Sequence, residues 1–229
     1  MRRRFDVLDA WRTAAIVLMA AYHFLYDLYI FGIISANQLF STPLNVLERF
    51  ICCSFILLAG ASARFSRNNL RHGLTVLAAG LAVEIGAAVA GQTIRWGVLM
   101  LLGASMVLWH LLGKYLQKLP GAALGWGSLA LFFLSRAWPA SAAVAAGWLY
   151  PLGFTAPGFY SADYFPLLPW FFLFLLGTVL GGWCLENRDS PLLTKPLPKA
   201  LTWPGRHSLI IYVLHQPVLY GISYLLWGT

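Results

Sequence analysis

Long apolar runs separated by short polar segments dominate the 229-residue chain. They fall near residues 12–34, 47–65, 73–91, 95–113, 121–138, 165–185 and 206–227. A run of about 20 apolar residues crosses a hydrocarbon core of about 30 Å as a helix. The pattern therefore predicts an all-α, polytopic transmembrane bundle of about seven spans. The stretch over 139–166 breaks it, because Pro139, Pro151, Pro157 and several glycines crowd a short apolar piece. An extracytoplasmic loop with a short or re-entrant helix is expected there.

Composition agrees with this reading. The chain is 59% hydrophobic and 10% charged, with a mean hydropathy of +0.70, whereas soluble domains carry about 25% charged residues. The apolar run that follows the arginines at positions 2–4 resembles a signal peptide but lacks a convincing cleavage site, so it reads as a retained first span. Cys52, Cys53 and Cys184 all fall inside predicted spans without metal-ligand or disulfide spacing.

Charge placement sets the expected orientation. With the N-terminus cytoplasmic, Arg2, Arg3, Arg4, Arg12, Arg64, Arg67, Arg71, Lys114, Lys118, Arg188, Lys195, Lys199 and Arg206 lie inside, and only Arg49, Arg95 and Arg136 lie outside. That asymmetry is the positive-inside bias of a seven-span chain. It also accounts for the net charge of +8 without a nucleic-acid partner. No internal repeat is evident, and residues 1–229 read as a single integral-membrane domain.

Ionisable groups inside spans are costly and mark functional sites. On a helix advancing about 100° per residue, Asp9, Arg12, His23 and Asp27 project at about 60°, 0°, 20° and 60°, one narrow stripe that should face protein. Arg12 sits at the cytoplasmic interface, and His23 lies about 16 Å deeper. Asp27, one turn further, can accept a hydrogen bond from the imidazole and orient it. On the last span His215 lies about 13 Å from Arg206, a matching depth, so the two imidazoles can meet. Pro217 leaves the Val213 carbonyl without its helical partner beside His215, and Ser208, Tyr212 and Gln216 add polar neighbours. Glu84, Glu48, Arg49, Arg95 and Asp163 fall in the outer half and suggest a vestibule that binds substrate. For Glu84 a salt bridge to Arg95 or Arg49 is the equal alternative. Arg12, Arg64, Arg71 and Arg206 are candidate phosphate contacts at the cytoplasmic mouth. The glycines at 60, 80, 86, 97, 103, 177 and 181 would let helix backbones approach closely.

Four motifs carry a resemblance: LDAWR at 8–12 followed by His23 and Asp27, LAGAS at 58–62, DYFPLLPW at 163–170 and GRHSLIIYVLHQP at 205–217. Together they resemble the bacterial relatives of heparan-alpha-glucosaminide N-acetyltransferase, over nearly the whole chain. The resemblance implies transfer of an acetyl group from cytoplasmic acetyl-CoA to an acceptor across the membrane, with His23 in the active site and His215 as a second functional histidine. It implies a multi-pass protein of a bacterial inner membrane. One departure is Met100, where relatives often carry a histidine. The large lumenal domain of the animal enzyme is also absent.

The expected partners are the lipid bilayer, an acyl-CoA and an extracytoplasmic amino sugar or glycan, with no metal; a homo-oligomer is compatible with the small-residue faces. His23 would serve as a base on the acceptor or as a transient acetyl carrier. Three rival readings stand beside this one. A proton-coupled transporter would use His23, Asp27, Glu84 and His215 as a relay. A haem protein would use His23 and His215 as axial ligands. A non-catalytic assembly protein would use none of these groups.

Overall fold

The fold is that of a computed structural model, which describes residues 5–141 and 147–228. Among these residues the chain is all-helical: α1 (Asp6–Ile30), α2 (Ala36–Leu39), α3 (Thr42–Phe65), α4 (Asn69–Val89), α5 (Val98–Leu116), α6 (Gly121–Ser141), a 3-10 helix (Gly147–Leu152), α7 (Leu167–Glu186), α8 (Pro191–Thr194), α9 (Lys199–Arg206) and α10 (Ser208–Trp227). Six of them, α1, α3, α4, α5, α7 and α10, are long and apolar enough to cross a membrane. The remaining predicted span, 121–138, is the 21-residue helix α6; Arg136, three serines and three glycines dilute its apolar character.

Helix ends shift from the predicted limits for local reasons. α1 begins at Asp6 rather than near residue 12, with Asp6 and Asp9 in its first turn, where carboxylates complement the helix dipole. It stops at Ile30 because the chain turns through Gly32 at φ 72°, a left-handed conformation that glycine adopts freely. Ser35 and Gln38 then form a reciprocal capping box on α2. Asn68 caps α4, accepting from the Arg71 N–H at 2.9 Å.

The chain divides into two compact units, Met1–Phe55 with Asn187–Thr229, and Ile56–Glu186. In the first, α1 packs against α9 and α10. Ala15, Ile16, Met19, Ile51 and Phe55 form its core, flanked by Leu18, Tyr22, Leu47, Ile211 and Tyr212. In the second, α4 packs on α5, and α7 packs on α5 and α6. Small residues set these distances, as membrane helices require. A Cβ on Gly177 would collide with the Leu57 carbonyl, and one on Gly73 would come within 2.8 Å of the Gly103 carbonyl oxygen. Gly86, by contrast, faces open space, so its predicted role in close packing fails.

Of the predicted 139–166 loop, residues 142–146 lie outside the described residues. The remainder holds the short 3-10 helix, which fits the expected short helix, and is pinned to the α4–α5 turn by Ala162 N–H to the Thr93 carbonyl at 2.9 Å and Phe165 N–H to the Trp96 carbonyl at 3.0 Å. The Tyr164 hydroxyl donates to the Tyr150 carbonyl at 2.6 Å, and burial pushes its pKa up to about 12.

Candidate functional site

The stripe on α1 meets protein along its whole length, and it does so in two distinct places. At the N-terminal end Asp9, only 8% exposed, bridges two cations. Its Oδ1 accepts from Arg12 Nη1 at 2.9 Å, and its Oδ2 accepts from Arg206 Nε at 3.1 Å. Arg206 Nη2 reaches Asp6 Oδ1 at 2.8 Å, and Asp6 Oδ2 accepts the Leu197 N–H at 3.1 Å. Thr13 Oγ1 donates to the Asp9 carbonyl and accepts the Gly205 N–H at 2.9 Å. Gly205 makes this possible, since a Cβ there would fall on the Asp9 carbonyl. Hydrogen bonding to Asp9, with Asp6 alongside, raises the pKa of Arg206 above its ordinary value.

Arg12 and Arg206, expected as phosphate contacts, both pair with carboxylates of α1 in this clasp. The signal in the sequence was the spacing of Asp6, Asp9 and Arg12, which puts all three on the first turns of one helix.

At the other end of the stripe, α1 meets α10. The His23 and His215 rings lie edge to face, 4.8 Å between centroids and 65° between planes. The matching depths read from the sequence do bring the imidazoles together. Tyr212 packs edge-on against His215 at 5.4 Å and against Phe55 at 6.0 Å. His215 Nδ1 bonds the Tyr212 carbonyl, an acceptor-only group, so Nδ1 carries the proton and Nε2 presents a lone pair. That Nε2 is buried without a partner.

Asp27 is fully buried, yet no hydrogen bond joins it to His23. Its Oδ1 instead accepts from Gln216 Nε2 at 2.8 Å, so the expected orienting bond runs to α10 rather than within α1. Asp27 Oδ2, Gln216 Oε1 and Ser223 Oγ are buried without partners. Most buried polar atoms in folded proteins are paired, and this seam concentrates the exceptions. Gln216 was noted in the sequence only as a polar neighbour; its adjacency to His215 in an otherwise apolar span was the available signal.

Of the residues expected to line an outer vestibule, Glu84, Arg95 and Asp163 gather around the start of α5. Glu84 Oε1 accepts the Trp96 N–H at 2.6 Å and the Gly97 N–H at 3.3 Å, and Asp163 Oδ2 accepts the Val98 N–H at 3.1 Å. Both carboxylates thus satisfy the orphan donors at the start of α5, and within this unit Glu84 makes no ion pair with Arg95. Trp96, at φ 58°, holds a left-handed conformation that is rare for a side-chain-bearing residue, fixed by this bonding. The Arg95 guanidinium lies over the Phe159 ring, 5.9 Å from its centroid. Glu48 and Arg49 belong to the other compact unit, on α3, with Glu48 within electrostatic range of Tyr22. Arg64 and Arg71 sit at the end of α3 and the start of α4; Arg71 is exposed and lines a groove of about 440 Å³ with Asn68, Leu70, Leu74, Thr75 and Ala78.

Among the described residues no group of three or more His, Cys, Asp or Glu side chains could hold a metal ion.

A seam of imidazoles, a buried carboxylate and an amide between membrane helices is the equipment of a group-transfer or relay protein. Residues 4–217 match the catalytic domain of heparan-alpha-glucosaminide N-acetyltransferase, and the chain belongs to that family of transmembrane acetyltransferases. No curated protein and no solved structure matches it.

Proposed function

We propose that this protein transfers an acetyl group from cytoplasmic acetyl-CoA to an extracytoplasmic acceptor, an amino sugar or cell-surface glycan, as a multi-pass enzyme of a bacterial inner membrane with its N-terminus inside. The observation that carries the reading is the His23–His215 pair, 4.8 Å apart beside a buried carboxylate, in a chain whose family is defined by this catalytic domain. Both compact units are read as parts of one functional domain.

The chemistry asked of the site is modest. The thioester C–S bond breaks, and a C–N or C–O bond forms on the acceptor. The acceptor proton passes to an imidazole, and the departing thiolate is protonated in turn. His23 fits the base, since its ring is held by contacts with Tyr22 and His215 and makes no hydrogen bond among the described residues. It fits equally a carrier that takes the acetyl group onto a ring nitrogen before passing it on. His215, with its tautomer fixed through Tyr212, presents Nε2 as the second proton acceptor. With Arg12 and Arg206 committed to carboxylates, Arg64 and Arg71 remain as phosphate contacts by charge alone.

A proton-coupled transporter is the second reading, favoured by the buried unpartnered atoms of His215, Asp27, Gln216 and Ser223, which a relay would use. One experiment separates the two. Purified protein is incubated with radiolabelled acetyl-CoA and a panel of amino sugars, wild type beside His23→Ala and His215→Ala. Acyl transfer predicts CoA release that depends on a histidine and, for the carrier route, label on the protein. CoA-independent solute flux with no release would favour the transporter.

A further inference from the structure

Gln216 and Asp27 form a pair whose orientation is dictated by chemistry. The carboxylate can only accept, so the amide must turn Nε2 toward Asp27 Oδ1, as the 2.8 Å bond shows. Gln216 Oε1 is thereby forced to point elsewhere. It ends buried without a partner, as does the second carboxylate oxygen, Asp27 Oδ2. Covalent geometry keeps both atoms within a few ångström of the bond that joins the two side chains. His215, the next residue on α10, adds a third buried unpartnered atom, Nε2, and its fixed tautomer makes that atom an acceptor as well.

Two buried acceptors without donors at one locus, Asp27 Oδ2 and Gln216 Oε1, specify what completes them. A ligand group rich in N–H or O–H donors fits; a carbonyl, ester or phosphate does not. A carboxylate that is fully buried and bonded only to a neutral amide also favours a group carrying positive charge. Paired donors satisfy Oδ2 and Oε1 together where a single hydroxyl satisfies one.

We propose that Gln216 is a specificity residue, which with Asp27 forms the subsite that binds the acceptor through two adjacent donors, an amine and its neighbouring hydroxyl. This rests on the acetyltransferase reading above and adds to it the residue that selects the acceptor. Gln216 acts in two ways. Its N–H fixes the rotation of the carboxylate, and its carbonyl supplies the second contact.

The test replaces Gln216 with leucine, of similar shape and without polar atoms, and measures KM for acetyl-CoA and for glucosamine, with thermal melting of each protein. The expected result is a rise of about tenfold or more in the glucosamine KM, with the acetyl-CoA KM changed less than about twofold. A scaffold role for Gln216 would move both constants and lower the melting temperature. The double variant Asp27→Asn with Gln216→Glu exchanges the two groups and should recover part of the loss. Equal changes in both KM values, or an unchanged glucosamine KM in an active enzyme, overturn the proposal. If the wild type releases no CoA, the functional reading fails first, and glucosamine protection against thermal unfolding then decides. Protection in wild type that is lost in Gln216→Leu supports the subsite; no protection, or equal protection in both, overturns it.

Discussion

The two ends of α1 use the same stripe and opposite strategies. Toward the N-terminus Asp6, Asp9, Arg12 and Thr13 meet α9, and carboxylates are answered by guanidinium groups and the Gly205 N–H by a threonine oxygen. Four turns along, His23 and Asp27 meet α10, and oxygen and nitrogen atoms are left buried without partners. Each buried unmet group costs about 1–3 kcal/mol. A helix that satisfies one end so fully does not leave the other unsatisfied for want of polar residues. The contrast sets a satisfied anchor at the first end against unfilled acceptors at the second, where the proposed acceptor site lies.

The comparison breaks if chemistry and stability do not separate along α1. The largest effect is expected from His23→Ala, which should lower acceptor-dependent CoA release by about 10²–10⁴-fold while the melting temperature in detergent stays close to wild type. A fall in melting temperature matching the fall in rate would make His23 a packing residue. Gly205→Ala tests the other end: the new Cβ meets the Asp9 carbonyl, which should cost about 1–3 kcal/mol, read as an earlier thermal transition. Gly177→Ala, whose Cβ meets the Leu57 carbonyl, should cost a similar amount in the other unit. Asp9→Asn removes the charge that Arg12 and Arg206 share and should destabilise by about 1–2 kcal/mol. The acceptor KM of the folded fraction should remain unchanged. The smallest effect belongs to Glu84→Gln, which weakens a cap by about 0.5–2 kcal/mol. If it instead abolished acceptor binding, the vestibule expected from the sequence would be supported and the capping role demoted.

What the sequence made legible was whatever depends on one helix at a time. The α1 stripe follows from the helical period alone, and the meeting of His23 with His215 follows from equal depth below Arg12 and Arg206. The glycine contacts at Gly60, Gly103, Gly177 and Gly181 were visible as small residues in apolar runs. What depends on the path between helices was not legible. Glu84 and Asp163 look like free outer charges in the sequence; the turn at 90–97 brings the start of α5 to them, and backbone donors take both. Asp27 has His23 one turn away in its own helix, yet its partner is Gln216, 189 residues distant. Sequence spacing ranks local partners first, and here the buried carboxylate is bonded by the distant one.

That separation has a consequence in time. At a synthesis rate of about 5–20 residues per second, roughly 10–40 s pass between the emergence of Asp27 and that of Gln216. Through that interval the carboxylate has no amide to hold it and His23 has no second imidazole. The seam therefore comes into being only when α10 joins α1. On the proposed function, an acetyl donor that arrives earlier meets an incomplete site.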